Sequence, residues 1–341
     1  MSGPYAFILP LVTGKPREKR EPGMSEKSID IQTRRNAFKK LLKKAACCKI
    51  NMLYFLSLDF ARLERELTLQ EKIDYISYKF FQHLKYNLNI FTPETFSEKI
   101  QWLKIFYENP LLTTCADKYR VREYAAEKIG ADTLIPLTGV YDSPDEIDFD
   151  TLPERFALKV NWGSGQNIIC RDKKTFNMQE AKNKLRKWLQ KESNHYYHSF
   201  EVSYKNIVPK IICEQYIEQL DGKLLDYKFF CFNGKVEYIQ VDFDRHTNHT
   251  RSLYSRKWEK MNFILKFAQQ IEFIPRPECF EKMVEFAERL AQDFLFVRVD
   301  LYNISTKIYF GEMTFYPGSG MEAFFPQEWD GKFGELLILP R

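Results

Sequence analysis

The chain has 341 residues, of which 44% are hydrophobic and 28% are charged, and its formal net charge is +5. This composition is too apolar for a disordered protein, and the interleaved charges lack the basic stripe of a dedicated nucleic-acid binder, so no nucleic-acid partner is expected. The seven cysteines are scattered and include no CxxC pair, which argues against a disulfide framework or a zinc site and favours a reducing cytoplasm.

The N-terminal 50 residues differ in character from the rest of the chain. Residues 1–30 carry Gly, Pro, Lys and Ser without periodicity and are predicted to be a disordered leader. The stretch "TRRNAFKKLLKKAACCKI" (33–50) predicts a basic amphipathic helix, which can lie on an anionic membrane or lean, solvated, on the domain. No apolar run approaches the ~20 residues of a membrane span. We expect a cytoplasmic protein, with peripheral contact to the inner face of the membrane as one alternative for residues 33–50.

Helical periodicity dominates from residue 60 to about 130. "TPETFSEKIQWLKIFYENP" opens with the capping-box spacing of Thr95 and Glu98, and "DKYRVREYAAEKIG" (117–130) ends at a glycine. After residue 134 the pattern changes to short β runs, interrupted by one helical stretch at 280–294. Helices first, strands later and few βαβ alternations predict an α+β protein with largely antiparallel sheets.

Three charged residues interrupt apolar β runs in "FVRVDLYNISTKIYFGEMTFYPGSG" (296–320). Alternation puts Arg298 and Asp300 on one strand face, and a hairpin would bring Glu312 onto the same surface. Two close carboxylates repel each other unless a cation lies between them, and hard oxygen ligands favour Mg²⁺. The alternative is a structural salt bridge across the strands between Arg298 and Glu312. The stretch alone leaves both interpretations open.

A glycine-bearing loop follows a lysine in "FALKVNWGSGQNIICRD" (156–172). Gly163, Ser164 and Gly165 can bring backbone N–H groups close to phosphate oxygens, with Lys159 supplying positive charge. The stretch lacks the GK[ST] of a P-loop, and an ordinary hairpin turn is the alternative.

Two later stretches carry further polar positions in apolar runs. "IICEQYIE" (211–218) is a strand whose end could read an adenine edge through its backbone. "DYKFFCFNGK" (226–235) places Asp226 and Lys228 on one strand face, where packing alone would favour apolar residues.

The stretch "DFDRHTNHTRSLYSRKW" (242–258) is rich in Asp, Arg and His. Arg245 and Arg251 are candidates to hold an acidic sugar or the phosphate of a nucleotide sugar, and a mobile, solvated loop is the alternative. "DFD" at 242–244 also has the D-x-D spacing common in glycosyltransferases.

Taken in chain order, the lysine strand, glycine loop, "EQYIE" hinge, R-x-D and E-x-T resemble the ATP-grasp superfamily. The closer resemblance is to its TupA-like branch, associated with teichuronopeptide and other bacterial surface-polysaccharide synthesis, and it covers roughly residues 60–341. The segments that carry it are "PETFSEKIQWLKIF", "DKYRVREYAAEKIG", "FALKVNWGSGQNIIC", "DYKFFCFNGK" and "GEMTFYPGSG".

The resemblance implies an ATP-grasp fold, in which two α+β subdomains with largely antiparallel sheets hold ATP behind a helical N-terminal region. The implied organisation is a leader with the basic helix (1–50), a helical region (51–154), a nucleotide-clamp subdomain (155–220) and a C-terminal metal and catalytic subdomain (221–341).

The resemblance also assigns roles residue by residue, with ATP and Mg²⁺ as cofactors. The implied cofactor-binding residues are Lys159, Gly163, Ser164, Gly165, Glu214, Gln215, Ile217 and Asp226. Lys159 and the glycine loop would contact phosphates, the 214–217 hinge would hold adenine, and Asp226 would lie on the ribose or metal side. Lys228 would contact phosphate, and Arg298 would steady the transferring phosphoryl group or the tetrahedral oxyanion. The implied metal ligands are Asp300, Glu312 and Thr314, the last where the superfamily usually has Asn.

The function implied is an ATP-dependent carboxylate–amine ligase that works through an acyl phosphate and forms an amide bond. Its substrates would be an acidic sugar or nucleotide sugar and a small amine or amino acid, in capsule or surface-polysaccharide synthesis. A glycosyltransferase of the same pathway is the alternative. His195 and His198 are interpreted as surface or packing residues, and no cysteine lies in a recognisable nucleophile setting.

Overall fold

The computed structural model describes residues 66–217, 225–243, 249–271 and 274–340. The predicted leader with its basic helix at 33–50 lies outside these residues, and so does Arg245.

Within the described residues, four helices precede the sheets: α1 (Leu69–Leu84), α2 (Phe96–Phe106), α3 (Leu111–Ala116) and α4 (Val121–Ile129). The predicted capping box of α2 is confirmed, because Thr95 Oγ1 accepts from the Glu98 N–H and the Glu98 carboxylate accepts from the Thr95 N–H. Gly130 ends α4 with a positive φ, as its position in the sequence predicts.

The smaller of the two main sheets has four antiparallel strands. They are β1 (Leu137–Tyr141), β2 (Phe156–Val160), β3 (Asn167–Cys170) and β4 (Ile211–Gln215), in the order β1-β4-β2-β3. Helices α5 (Met178–Trp188) and α6 (Tyr196–Ser199) lie between β3 and β4 in the chain. Strand β1 is thus a member of this sheet although its residues lie within the region 51–154.

The larger sheet has five antiparallel strands in the order β10-β9-β5-β6-β7. Its strands are β5 (Asp226–Phe232), β6 (Lys235–Phe243), β7 (Thr250–Ser255), β9 (Phe296–Ile304) and β10 (Lys307–Thr314). A two-stranded sheet joins β8 (Ile264–Leu265) to β11 (Phe324–Phe325), and the remaining helices are α7 (Phe280–Ala291) and α8 (Glu328–Leu336). Helices with two main antiparallel sheets confirm the predicted α+β class.

The two faces of the large sheet are covered differently. Helix α7 packs on one face, against β5, β6 and β9. On the other face, the Phe96 ring of α2 meets Phe232 and Phe296 of the sheet and Phe333 of α8, with centroids 5.0–5.8 Å apart. This aromatic cluster fills one end of the face and leaves the opposite end to polar residues. No helix among the described residues is long and apolar enough to cross a membrane.

Candidate active site

A row of polar side chains crosses the large sheet from β10 to β6. In the strand register, Glu312 is opposite Asp300, Asp300 is opposite Lys228, and Lys228 is opposite Gln240. Directly opposite residues project from the same face of a sheet, so these side chains form one continuous surface. The predicted hairpin of β9 and β10 is confirmed, and it brings Asp300 and Glu312 together.

The position of Glu312 depends on a β-bulge. The two-residue turn sets Lys307 opposite Ile304 and Phe310 opposite Leu301. Continued without interruption, that register would place Glu312 opposite Val299, on the apolar face. The bulge at Gly311 shifts the register by one residue and turns Glu312 towards Asp300.

Position 311 requires glycine because there is no room for a Cβ, and not because of its backbone conformation. A Cβ at this position would lie 2.9 Å from the Asp300 carbonyl oxygen and 3.2 Å from the Tyr302 ring. We expect Gly311→Ala to lower the free energy of unfolding by about 1–3 kcal/mol, measured by urea denaturation. Gly331→Ala on α8 is the matched control, since nothing lies within 4 Å of its added Cβ, and it should stabilise by about 0.5–1 kcal/mol. Equal stability of Gly311→Ala and the wild type would contradict the role assigned to the bulge.

Asp300 is the most heavily bonded carboxylate of the row. Arg298 Nε donates to its Oδ1 and Arg298 Nη2 to its Oδ2, both at 2.7 Å. Lys228 Nζ also donates to Oδ2. Burial raises the pKa of Asp300, and the charges of Arg298 and Lys228 oppose that rise. Two cations therefore bind the buried carboxylate.

Glu312 is more open and is held by different cations. Its Oε2 lies 3.2 Å from Lys118 Nζ, and its Oε1 lies 3.6 Å from Arg298 Nη2. Burial would raise the pKa of Glu312, but Lys118, Lys228 and Arg298 hold it well below its usual range. The cross-strand contact of Arg298 with Glu312 is thus present, although it is longer than the bonds from Arg298 to Asp300. Thr314 Oγ1 accepts from Arg298 Nη2 at 3.1 Å and lies 3.5 Å from Glu312 Oε1.

Lys228 lies between two carboxylates. Its amine donates to Asp226 Oδ2 at 2.6 Å as well as to Asp300, and its side chain is only 2% exposed. If Lys228 contacts phosphate, as predicted, it does so in addition to these two bonds. The site therefore depends on Lys228 first for charge balance.

We expect Lys228→Met to destabilise the protein by about 3–5 kcal/mol, because it removes the ion pair of the buried Asp226 carboxylate and leaves Asp300 with Arg298 alone. Lys159→Met is the matched comparison, since Lys159 is more exposed and its partner keeps a second cation nearby. Thermal or urea unfolding of both variants measures the difference. Equal, small losses would show that Lys228 does not neutralise the pair.

The glycine loop is joined to this row by Lys118. Its Nζ donates to the Gly163 carbonyl oxygen at 2.7 Å and lies 3.2 Å from Glu312 Oε2. The loop is the turn of the β2–β3 hairpin, closed by the Val160 N–H donating to the Gln166 carbonyl, and Gly163 has φ +72°. Sequence reasoning missed Lys118, since a lysine before a helix carries no distinguishing signal.

On the smaller sheet, Lys159 and Glu214 form an ion pair. Lys159 Nζ lies 2.5 Å from Glu214 Oε2, and Arg122 Nη1 lies 3.7 Å from Glu214 Oε1. The Glu214 side chain thus orients the predicted phosphate lysine. The Gln215 N–H donates to the Pro136 carbonyl. Adenine contact by Glu214, Gln215 and Ile217 stays a prediction.

Arg251 already has partners. It donates from Nε to Asp242 Oδ1 at 2.8 Å and from Nη1 to Glu322 Oε2 at 2.9 Å, and it is buried. Asp242 and Arg251 are opposite one another on β6 and β7. A substrate contact of Arg251 stays a prediction, as does that of Arg245.

The oxygen donors of Asp300, Glu312 and Thr314 suit a hard cation such as Mg²⁺, which keeps water and phosphate oxygens as its other ligands. A cation there would share Asp300 with Arg298 and Lys228. Within the described residues, no group of three or more His, Cys, Asp or Glu side chains is arranged to hold a metal by itself. The residues therefore fit a metal that arrives with phosphate ligands.

Comparison with known proteins identifies the family of this chain. A family model described as TupA-like ATPgrasp matches residues 98–338, which is well over half of the chain. The chain therefore belongs to the TupA-like ATP-grasp family, a family that uses ATP, and the predicted resemblance is confirmed. No curated protein sequence matches the chain.

Solved structures with a similar fold are distant. D-alanine–D-alanine ligase from Bacillus anthracis is 17% identical, over 71% of this chain and 72% of that one, with a TM-score of 0.39. L-amino acid ligase from Bacillus licheniformis is 14% identical, over 71% of this chain, with a TM-score of 0.41. The match spans about half of the latter protein, 53% of its length.

Proposed function

We propose that the protein is an ATP-dependent carboxylate–amine ligase that modifies an acidic sugar in bacterial surface-polysaccharide synthesis. The observation that carries the proposal is the polar row of Arg298, Asp300, Lys228 and Glu312, tied through Lys118 to a glycine loop. A buried cluster of this kind is costly to fold and gains its value from chemistry. Membership of the family supports ATP as the energy source.

The nucleotide would lie between the two sheets. Lys159 and the N–H groups of Gly163–Gly165 would contact its phosphates, and the 214–217 hinge would hold adenine. The pair of Lys159 with Glu214 supports this placement, because it holds a cation on β2, the strand that leads into the glycine loop. Asp226 would lie on the ribose or metal side, next to Lys228.

The reaction proposed has two steps. A carboxylate oxygen of the acid attacks the γ-phosphorus of ATP, ADP leaves, and an acyl phosphate forms. The neutral amine then attacks the acyl carbon, phosphate leaves, and the nitrogen loses a proton to solvent as the amide forms. A Mg²⁺ ion bound to Asp300, Glu312 and Thr314 would supply positive charge beside the γ-phosphate. Arg298 binds Asp300 through Nε and Nη2, and it would donate from Nη1 to the transferring phosphoryl group.

The substrate proposed is an acidic sugar, free or nucleotide-linked, with a small amine or amino acid as its partner. Arg245 and Arg251 are its proposed contacts. Because Arg251 is paired with Asp242 and Glu322, a substrate anion would have to replace one of these carboxylates. Contact of residues 33–50 with a membrane is a proposal that lies outside the described residues.

A glycosyltransferase is less well supported. Of the two aspartates of "DFD", Asp242 is buried and accepts hydrogen bonds from Arg251 and Gln240, and Asp244 lies outside the described residues. The oxygens of Asp242 are therefore engaged within the protein, and we keep the ligase as the proposed function.

Nucleotide choice tests the proposal. ADP and phosphate release is measured with panels of uronic acids, free and nucleotide-linked, in the presence of mixed amino acids and amines. The ligase predicts ADP release that requires both an acid and an amine. Release of UDP from UDP-sugars without consumption of ATP would overturn it in favour of glycosyl transfer.

A further inference from the structure

The segment 193–195 forms hydrogen bonds with the glycine loop. Gln166 Nε2 donates to the Ser193 carbonyl at 3.1 Å, and the Ser164 N–H donates to His195 Nε2 at 3.4 Å. The His195 ring also lies 3.0 Å from the position that a Cβ on Gly163 would take. The interpretation of His195 as a surface or packing residue is thus incomplete, because its ring nitrogen binds the proposed phosphate loop.

The second ring nitrogen of His195 lies near a buried carboxylate. His195 Nδ1 lies 3.9 Å from Glu201 Oε2, and Ser199 Oγ donates to Glu201 Oε1 at 2.9 Å. Burial would raise the pKa of Glu201, but the contact with His195 and the charge of Lys104 lower it. An ionised Glu201 favours the proton on Nδ1 and leaves Nε2 as the acceptor for Ser164.

Among the described residues, the groups around the ring include a carboxylate, a phenol and a lysine. Glu201 faces Nδ1, the Tyr204 ring lies 5.7 Å away between centroids, and Lys118 holds the Gly163 carbonyl. Lys104 acts on Glu201 rather than on the ring, and its amine donates to the Ser319 carbonyl at 2.7 Å. An added phosphate would place a second negative charge beside the ring, in addition to that of Glu201.

We propose that His195 is a positioning residue that exchanges its bond with the Ser164 N–H for a proton when nucleotide binds. Without nucleotide, neutral Nε2 accepts from Ser164 and holds the loop. With nucleotide, a phosphate oxygen takes that N–H, and Nε2 takes up a proton from solvent, stabilised by Glu201 on one side and phosphate on the other. This inference rests on the proposed ATP site and adds a proton linkage to it.

The test is calorimetric titration of the full chain with the non-hydrolysable analogue AMP-PNP and Mg²⁺ at pH 7. Buffers of different ionisation enthalpy report the protons taken up on binding. The wild type should take up roughly 0.3–0.6 more proton per nucleotide than a variant whose residue 195 cannot be protonated, because imidazole changes its charge near this pH. His195→Gln keeps an acceptor but cannot gain a proton, so it should show only the proton exchange of the terminal phosphate, and its affinity should fall about 2- to 10-fold.

His198→Gln is the matched control, since His198 is exposed and contacts the Glu192 carbonyl instead of the loop; its uptake should equal that of the wild type. If His195→Gln does not fold, as judged by circular dichroism, His195→Asn gives the same readout. Nucleotide binding with unchanged uptake in the folded His195 variant would overturn this inference and leave the proposed function standing. Failure of the wild type to bind the nucleotide at all would overturn both.

Discussion

Asp300→Asn and Glu312→Gln are each expected to reduce ATP turnover by at least about 10³-fold, because each removes a charged oxygen ligand beside the transferred phosphate. The two variants should differ in stability. The Asp300 side chain is 2% exposed and carries the bonds from Arg298 and Lys228, whereas that of Glu312 is 30% exposed. Asp300→Asn should therefore lose more stability than Glu312→Gln.

Turnover is measured as ADP release at saturating ATP, and folding by urea denaturation. Glu288→Gln is the matched control: its side chain is 27% exposed, and it lies on α7, on the opposite face of the same sheet. It should keep wild-type turnover. Normal turnover by folded Glu312→Gln would show that this carboxylate does not act at the phosphate site.

Arg298→Lys is expected to bind ATP almost normally and to turn it over about 10²–10³-fold more slowly. The guanidinium of Arg298 makes two parallel bonds to Asp300 and reaches Thr314. Lysine keeps the charge but cannot form this planar, two-point geometry, and the loss should be largest when negative charge spreads over the transferring group.

The measurement separates ATP affinity from the rate at saturation. An alternative outcome is that Arg298→Lys unfolds and that Glu312→Gln is destabilised to the same degree. In that case the cross-strand contact of Arg298 and Glu312 is a structural salt bridge, and the catalytic role of Arg298 is wrong.

The sequence predicted which residues form the polar row better than it predicted how the strands arrange them. Charged residues in apolar β runs are visible in a single sequence, and alternation places Arg298 and Asp300 on one face without further information. The face on which Glu312 lies cannot be predicted in this way, because it depends on a register shift at Gly311. Nothing local distinguishes this glycine from one in an ordinary strand; the reason for it is the Asp300 carbonyl on the neighbouring strand.

Residues that reach the site from other elements were not predicted. Lys118 meets Glu312 and Gly163 across long sequence separations, and His195 meets Ser164 in the same way. Each is an unremarkable polar residue in its own segment. Their roles arise from the packing of helices on sheets, which hydrophobic periodicity does not specify.

The central claim is that a substrate carboxylate attacks the γ-phosphate of ATP at this site. Transfer of a heavy oxygen tests it most directly. Glucuronic and galacturonic acids, free and UDP-linked, are labelled with ¹⁸O in the carboxylate and incubated with the protein, ATP, Mg²⁺ and mixed amino acids, and the released phosphate is analysed by mass spectrometry. The account predicts phosphate that carries one ¹⁸O atom from the acid. Phosphate without the label would show that the attacking oxygen came from water or from an amino-acid carboxylate in the mixture, and it would contradict attack by the uronate.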